Sequence, residues 1–472
     1  MIGERSLKKM KYIEDRVEDI QITYIGGGSR GWAWQLMSDL AREPQLAGTV
    51  TLYDIDYEAA LQNEKIGNRL KDREDVKGKW QYRADKSLES ALKGADFVVI
   101  SILPGTFDEM ASDVHAPEKY GIYQSVGDTV GPGGLIRGLR TVPMYVEFAK
   151  AIEKNCPEAF VINYTNPMSL CVKTLYEVFP RIKAFGCCHE VFNAQNLLAA
   201  ALKDIEGIEG ATREEIKINV KGINHFTWID EASYKGLDLM PIYKQFVDKY
   251  YENGFEEGKT GNWMNDFFES ANRVKFDLFK RYGIIAAAGD RHLAEFMSGN
   301  WYIENPETVM DWKFSLTPVS WRKEDLKERL AKSKRLVKGE EVFEVKDSGE
   351  EGVRQIKALV GLEDLVTNVN LPNEGQIFNL PRGSIVETNA IFRRGQVLPI
   401  VAGKLPSAIQ GIATRHITNA HLILEAALEK DKKKAFVAFA NDPLVNISLE
   451  DTEELFEEML KNTANYLPGW KL

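Results

Sequence analysis

Short apolar runs alternate through the first part of the chain with segments whose apolar residues recur at helical spacing. ITYI, TVTLYD, DFVVISI, AFVINYT and IKAFGC predict strands, and WAWQLMSDLARE, YEAALQNEKIGNRL, LIRGLRTVPMYVEFAKAIEK and MSLCVKTLYEVF predict the helices between them. That alternation implies an α/β domain built on a doubly wound parallel sheet. From EIKINVKGINHFTWI onward the pattern changes to one long strand-like segment, then long helices, then shorter strands around LVTNVNLPNEGQIFNLP and GSIVETNAIFRRGQVLPI. The end, from SAIQGIATRHITNAHLILEAALEK, is helical again, so an α+β second domain is expected. The seam is expected at residue 195, giving domains 1–195 and 196–472. The charged stretch RKEDLKERLAKSKRLVKGEE predicts a solvated helix, and no internal repeat emerges.

Composition narrows the class. A chain of 472 residues with 44% hydrophobic and 28% charged residues is large enough for two substantial domains. The net charge of −10 excludes a nucleic-acid surface, which needs a basic stripe. An anionic ligand must therefore be held by a local Arg, Lys or helix terminus. No apolar run approaches the roughly 18 residues of a membrane span, and the first residues lack a secretory h-region, so a cytoplasmic location is expected. The four cysteines, Cys156, Cys171, Cys187 and Cys188, crowd into one stretch, which favours reduced thiols over a disulfide framework.

Three constellations carry chemistry. In ITYIGGGSRG, Gly26, Gly28, Ser29 and Gly31 follow a predicted strand and open a predicted helix. Gly26 permits a tight turn, Gly28 lets the backbone approach a pyrophosphate, and Gly31 lets the helix pack close. The helix N-terminus supplies free N–H groups for the phosphates. The next strand ends in Asp54, placed to accept from ribose hydroxyls and so to favour NAD over NADP. This first domain therefore reads as Rossmann-like. In GCCHE, Cys188 and His189 follow a predicted strand to the carboxyl edge of the sheet, and GINHF supplies His225. A thiolate and an imidazole meeting across a cleft could hold a divalent ion, whereas a buried thiol and a hydrogen-bonded core histidine are the plainer reading. In GDRHLAEF, Asp290, Arg291, His292 and Glu295 cluster beside an apolar run; Asp290 could equally cap a helix, and His292 with Glu295 could form a metal pair. Asn166 and Asp128 stand in loops after predicted strands. His416 and His421, five apart on a helix, share no face and read as structural or surface residues.

GGGSRG with YDID, then GDTVGPGGLIRGLRTVP, NYTNPMS, CCHE, GINHFTW and GDRHLAEF, in this order, resemble glycoside hydrolase family 4, the NAD- and manganese-dependent glycosidases. The CHEV variant together with GDRHLAEF most resembles the α-galacturonidase branch. The resemblance implies a fold like that of lactate and malate dehydrogenases with an added catalytic domain. It implies hydrolysis through oxidation at C3, loss of the C2 proton, elimination, water addition and return of the hydride. Carried over residue by residue, it makes Cys188 and His225 the metal ligands, with Mn²⁺ or another divalent metal as the ion. It makes Asn166 and Asp128 substrate contacts and Asp290 the C2 base, with Tyr282 as its fallback. His189 stands where some α-specific members carry an aspartate acid, and can serve as that acid. A uronic acid needs fixed donors, for which Arg291 and His292 are the expected pair. A homodimer or homotetramer is implied, acting on a small glycoside. The alternatives are an α-galactosidase or α-glucosidase of the same family, a plain NAD-dependent 2-hydroxyacid dehydrogenase with His225 as proton acceptor, and a non-catalytic NAD sensor.

Overall fold

The computed structural model describes residues 10–256 and 267–471. Its strands in chain order are β1 (Lys11–Ile13), β2 (Arg16–Ile25), β3 (Leu46–Tyr53), β4 (Lys79–Asp85), β5 (Phe97–Ile100), β6 (Phe160–Asn163), β7 (Lys183–Gly186), β8 (Ile216–Ile223), β9 (Phe226–Tyr234), β10 (Leu237–Asp238), β11 (Ile285–Ala286), β12 (Leu365–Pro372), β13 (Ile385–Arg393) and β14 (Gln396–Pro399). The run β4-β3-β2-β5-β6-β7 is parallel throughout. Counted from β2, that is the order of a dinucleotide-binding sheet, which reverses direction between β2 and β5 and opens a crevice at the strands' carboxyl ends. Near-continuous apolar strands such as Phe97–Ile100, buried at every position, fit a sheet covered on both faces.

The sequence pattern located five of these six parallel strands. It missed β4, where Lys79, Gln81 and Arg83 face solvent while Trp80 and Tyr82 are buried. Such a half-buried edge strand alternates, and its polar half hides it among helical segments.

The expected seam at residue 195 falls inside the helix Glu190–Glu206. Leu197, Leu198, Ala201 and Leu202 of that helix share a core with Ile216, Val220 and Ile229 of β8 and β9, so its packing ties it to the second half. The sheet also runs on across the boundary. β7 pairs antiparallel with β12 at Gly186 and Asn370, and β12-β13-β8-β9-β10 continue antiparallel. The long strand expected from EIKINVKGINHFTWI is instead the hairpin β8–β9, paired at Ile223 and Phe226 and turned at Asn224 and His225. The turn depends on His225 adopting φ +63, the left-handed region.

The charged stretch forms the helix Val319–Lys338, which buries Val319, Ser333 and Leu336. It is more than a solvated helix. Ser333 Oγ donates to Gln62 Oε1 at 2.9 Å, and Arg329 Nη1 points to the carbonyl of Arg30 at 3.5 Å. All four cysteines are free thiols. Among the described residues no helix is long and apolar enough to cross a membrane.

Candidate active site

The glycine loop leaves β2 at its carboxyl end, as expected. Gly26 has φ +95, and a Cβ there would overlap the carbonyl oxygen of Ser101. The N–H groups of Gly26 and Gly27 both donate to Tyr53 O at 2.9 Å, and Gly28 N donates to Asp54 Oδ2 at 2.8 Å. Ser29 N donates to Gly26 O at 3.0 Å, closing the turn. Asp54 thus braces the loop, and burial raises its pKa. The reading of Gly31 as a packing glycine between helix and strand is corrected. The neighbour a Cβ would meet there is Arg329 Nη1, from the helix Val319–Lys338. Just beyond, Trp32 begins the helix Trp32–Arg42, half-exposed, with its ring 5.5 Å from Tyr164 and 6.3 Å from His189.

From His189 a polar chain leads inward. His189 follows β7 and bonds through Nδ1 to Glu350 Oε1 at 2.7 Å. Burial alone would lower its pKa, but Glu350 and Glu190 carry it up to about 9. Glu190 Oε1 lies 4.0 Å from His189 Nε2 and from His292 Nε2, while its Oε2 accepts from Gly289 N at 2.7 Å. Burial opposes its charge, yet the neighbouring histidines, His189 the one raised toward its charged form, and that N–H hold it below the usual carboxylate range. His292 stacks on His225 with ring centres 3.6 Å apart, and Thr129 Oγ1 lies 2.8 Å from His225 Nδ1. Asp128, His225 and His292 each offer a ligand atom, and these atoms lie within 4.8 Å of one another.

The charges of this group are complementary. Burial, reinforced by His292, lowers His225 to about 3, so it is a neutral imidazole ready to donate a lone pair. Burial would raise Asp128, but the opposing charges and hydrogen bonds around it, Arg137 and Thr129 among them, lower it and keep the carboxylate ionised. Asp128 Oδ1 accepts from Thr129 Oγ1 at 2.6 Å and Oδ2 from Asn166 Nδ2 at 3.0 Å. His292 Nδ1 is buried with no hydrogen-bond partner among the described residues. One carboxylate and two imidazoles, one of them short of a partner, fit a divalent ion of the manganese or zinc type.

The profile of family 4 glycosyl hydrolases matches residues 21–204, and that of the family's C-terminal domain matches residues 220–445. The chain belongs to glycosyl hydrolase family 4. Within this family it is 67% identical to an α-galacturonidase of Thermoanaerobacterium saccharolyticum, over 98% of this chain and 100% of that protein. A solved Bacillus subtilis structure named as a glucosidase is 54% identical, with TM-score 0.90, covering 94% of this chain and 100% of that one. A 6-phospho-β-glucosidase of Thermotoga maritima, solved with manganese, NAD⁺ and glucose-6-phosphate, shares the fold at TM-score 0.74 and 22% identity, over 94% and 99% of the two chains.

Against the family motifs the structure makes several corrections. His225 joins a three-residue group, but its partners there are Asp128 and His292 and not Cys188. Cys188 is outside that group, its thiol raised by burial and by Glu387 and Glu190 and lying near Asn224, the neighbour of His225. Asp290 is wholly buried and its carboxylate caps another helix, Oδ2 accepting from Val274 N at 3.2 Å and Oδ1 from Lys275 N at 3.0 Å. Burial raises it to about 6, yet the charges that bear on it are Lys275 and Arg273, not the histidines. The family-4 assignment of Asp290 as C2 base is therefore not supported by its geometry. Tyr282, its fallback, packs edge-on against Trp228 at 5.6 Å. Glu295 does not pair with His292; its Oε1 accepts from Val126 N at 2.6 Å and Gly127 N at 3.1 Å, fixing the loop that carries Asp128. Arg291 Nη2 donates to Ser125 O at 2.8 Å and to Thr317 Oγ1, which makes it a brace. His416 and His421 do line one cavity, together with Thr129 and Asn224, because the helix Ser407–Glu429 lies along its wall.

Sequence reasoning missed Glu190, Asn370 and Glu387. Asn368 Nδ2 donates to Glu387 Oε1 at 2.6 Å and to Cys188 O at 3.2 Å, and burial raises Glu387 to about 7. Asn370 is fully buried, and its side-chain amide approaches the Glu387 carboxyl. The available signal was the pair of asparagines in NVN and the acid in VETNA, set within largely buried strands.

Proposed function

We propose that this chain is an α-galacturonidase that uses NAD⁺ and a divalent ion, Mn²⁺ or its like, without consuming either. The observation that carries the reading is the unbroken path at one sheet edge. It runs from the glycine loop through Trp32, His189 and Glu190 to His292 and His225, joining a dinucleotide cradle to a metal-competent group. Relatives at 54% to 67% identity over nearly their whole length are named α-galacturonidase, which supports the uronide over neutral substrates. Family membership itself sets aside the 2-hydroxyacid dehydrogenase and the NAD sensor.

Asp128, His225 and His292 would hold the ion, with the Cys188 thiol as a further donor beside them. When bound, NAD⁺ supplies a hydride acceptor for C3 of the sugar and the ion a Lewis acid for O2 and O3. The chain's own groups do the rest. Asn166 donates to Asp128 through Nδ2 and keeps Oδ1 for a sugar hydroxyl. Asn370, beside Glu387, places a buried amide at the joint between β7 and β12. His189, with 45% of its side chain exposed and Glu350 holding its proton in place, is the acid for the departing aglycone. The four free thiols suit the cytoplasm, and a homodimer or homotetramer acting on a small uronic-acid glycoside completes the reading.

The test is cleavage of 4-nitrophenyl α-galacturonide. It should require both NAD⁺ and Mn²⁺, leave no accumulated NADH, and yield a product made in D₂O that carries deuterium at C2. Cleavage at full rate without NAD⁺, or a product with no label, would refute the reading.

A further inference from the structure

The sequence offers Arg291 and His292 for the carboxylate of a uronic acid. Arg291 spends its Nη2 on Ser125 O and Thr317 Oγ1 and keeps a buried Nε without a partner among the described residues, and His292 is stacked on His225. A third cation is uncommitted. Arg322, in the first turn of the helix Val319–Lys338, is half-buried and makes no hydrogen bond or ion pair with any described residue. Its guanidinium lies over the Phe268 ring at 5.6 Å, the same ring that Arg291 faces at 5.3 Å. The carboxylates whose charge reaches it are Asp128 and Asp325. Asp325 is paired with Arg329 at 2.7 Å, and Asp128 is occupied by Thr129 and Asn166. A guanidinium drawn partly out of water with no acceptor is unfavourable unless an anion arrives from outside.

We propose that Arg322 is the specificity-determining residue that grips the carboxylate of the uronide. The proposal rests on the α-galacturonidase reading. A planar carboxylate on C5 matches the two parallel N–H donors of a guanidinium, which a neutral hydroxymethyl group does not. Phe268 beneath it limits the directions the guanidinium can take. Arg291 holds the Asp128 loop in register and touches no substrate.

The experiment compares kcat/KM for 4-nitrophenyl α-galacturonide and 4-nitrophenyl α-galactoside, with NAD⁺ and Mn²⁺ present, in the wild type, Arg322→Met, Arg322→Lys and Arg291→Met. Loss of a charge-assisted bidentate pair should shrink the uronide-to-galactoside ratio by about 30- to 1000-fold in Arg322→Met. Arg322→Lys should restore part of the ratio, since it keeps the charge and loses the fork. Arg291→Met should depress both substrates alike. An unchanged ratio in both Arg322 variants overturns the proposal and leaves the galacturonidase reading standing. A wild type that prefers the galactoside, or a 6-phospho sugar, overturns the reading and the proposal together.

Discussion

His225 holds a left-handed backbone, φ +63, that a non-glycine residue adopts at a cost of about 1 kcal/mol or more. Asparagine tolerates that turn better, so the imidazole stands there for what it touches. His225→Asn should keep the melting temperature of the metal-free protein within a few degrees and weaken Mn²⁺ binding by more than about tenfold, read by titration calorimetry. The same titration ranks the other donors. His292→Ala should weaken Mn²⁺ at least as much as Cys188→Ser; the reverse order would favour the pairing suggested by the motifs. At this scale the sequence was legible where a residue's place follows from the end of a strand, as for His189 at the carboxyl end of β7. It was not legible for Asp290, since an acid at a helix start looks the same whether it caps its own helix, serves catalysis, or, as here, caps the helix Arg273–Tyr282.

The helix Val319–Lys338 and the segment after it form the element that sequence reading undervalued, because their charge hides their contacts. Gly26→Ala should abolish NAD⁺ binding, since its Cβ would overlap the rigid Ser101 backbone and its φ is left-handed. Gly31→Ala should change affinity by no more than about twofold, because only the flexible end of Arg329 must move. Tryptophan fluorescence titration with NAD⁺ distinguishes the two. Further on, Asp39 accepts from Ser348 N at 3.0 Å and pairs with its hydroxyl, tethering the stretch that brings Glu350 to His189. Burial raises Asp39 to about 6 against the opposing Ser348 bonds. The folded state therefore binds this proton more tightly than the unfolded chain. Its contribution is fully present below about pH 4 and is lost as pH rises through 6. Asp39→Asn, which carries no charge to bury, should melt higher than the wild type at pH 8 and match it at pH 4 by calorimetry.

Across the whole molecule, the parallel half was readable because buried apolar strands and helical repeats announce themselves, whereas the joining of the two halves was not. Which strand lies beside β7 is decided by β12, far along the chain, and by one residue pair, Gly186 with Asn370. One sheet serving both halves makes a fragment ending near residue 195 an unsuitable unit, since it would expose the β7 edge and cut the helix Glu190–Glu206. That narrow joint has a mechanical consequence. The six parallel strands and the β12–β13 pair are laced by four to eight paired positions, whereas β13 and β8 share two and β7 and β12 only one, so the sheet is least laced at the joint beside Cys188 and Asn370. NAD⁺ and sugar bound in the proposed site would act as a splint across it. Hydrogen exchange should therefore slow on ligand binding most at the amides flanking the joint, Phe185 to Cys188 and Asn368 to Asn370, while the β3–β4 edge keeps its free-state rate. A uniform slowing would mean the sheet bends as one plate, and the joint carries no motion of its own.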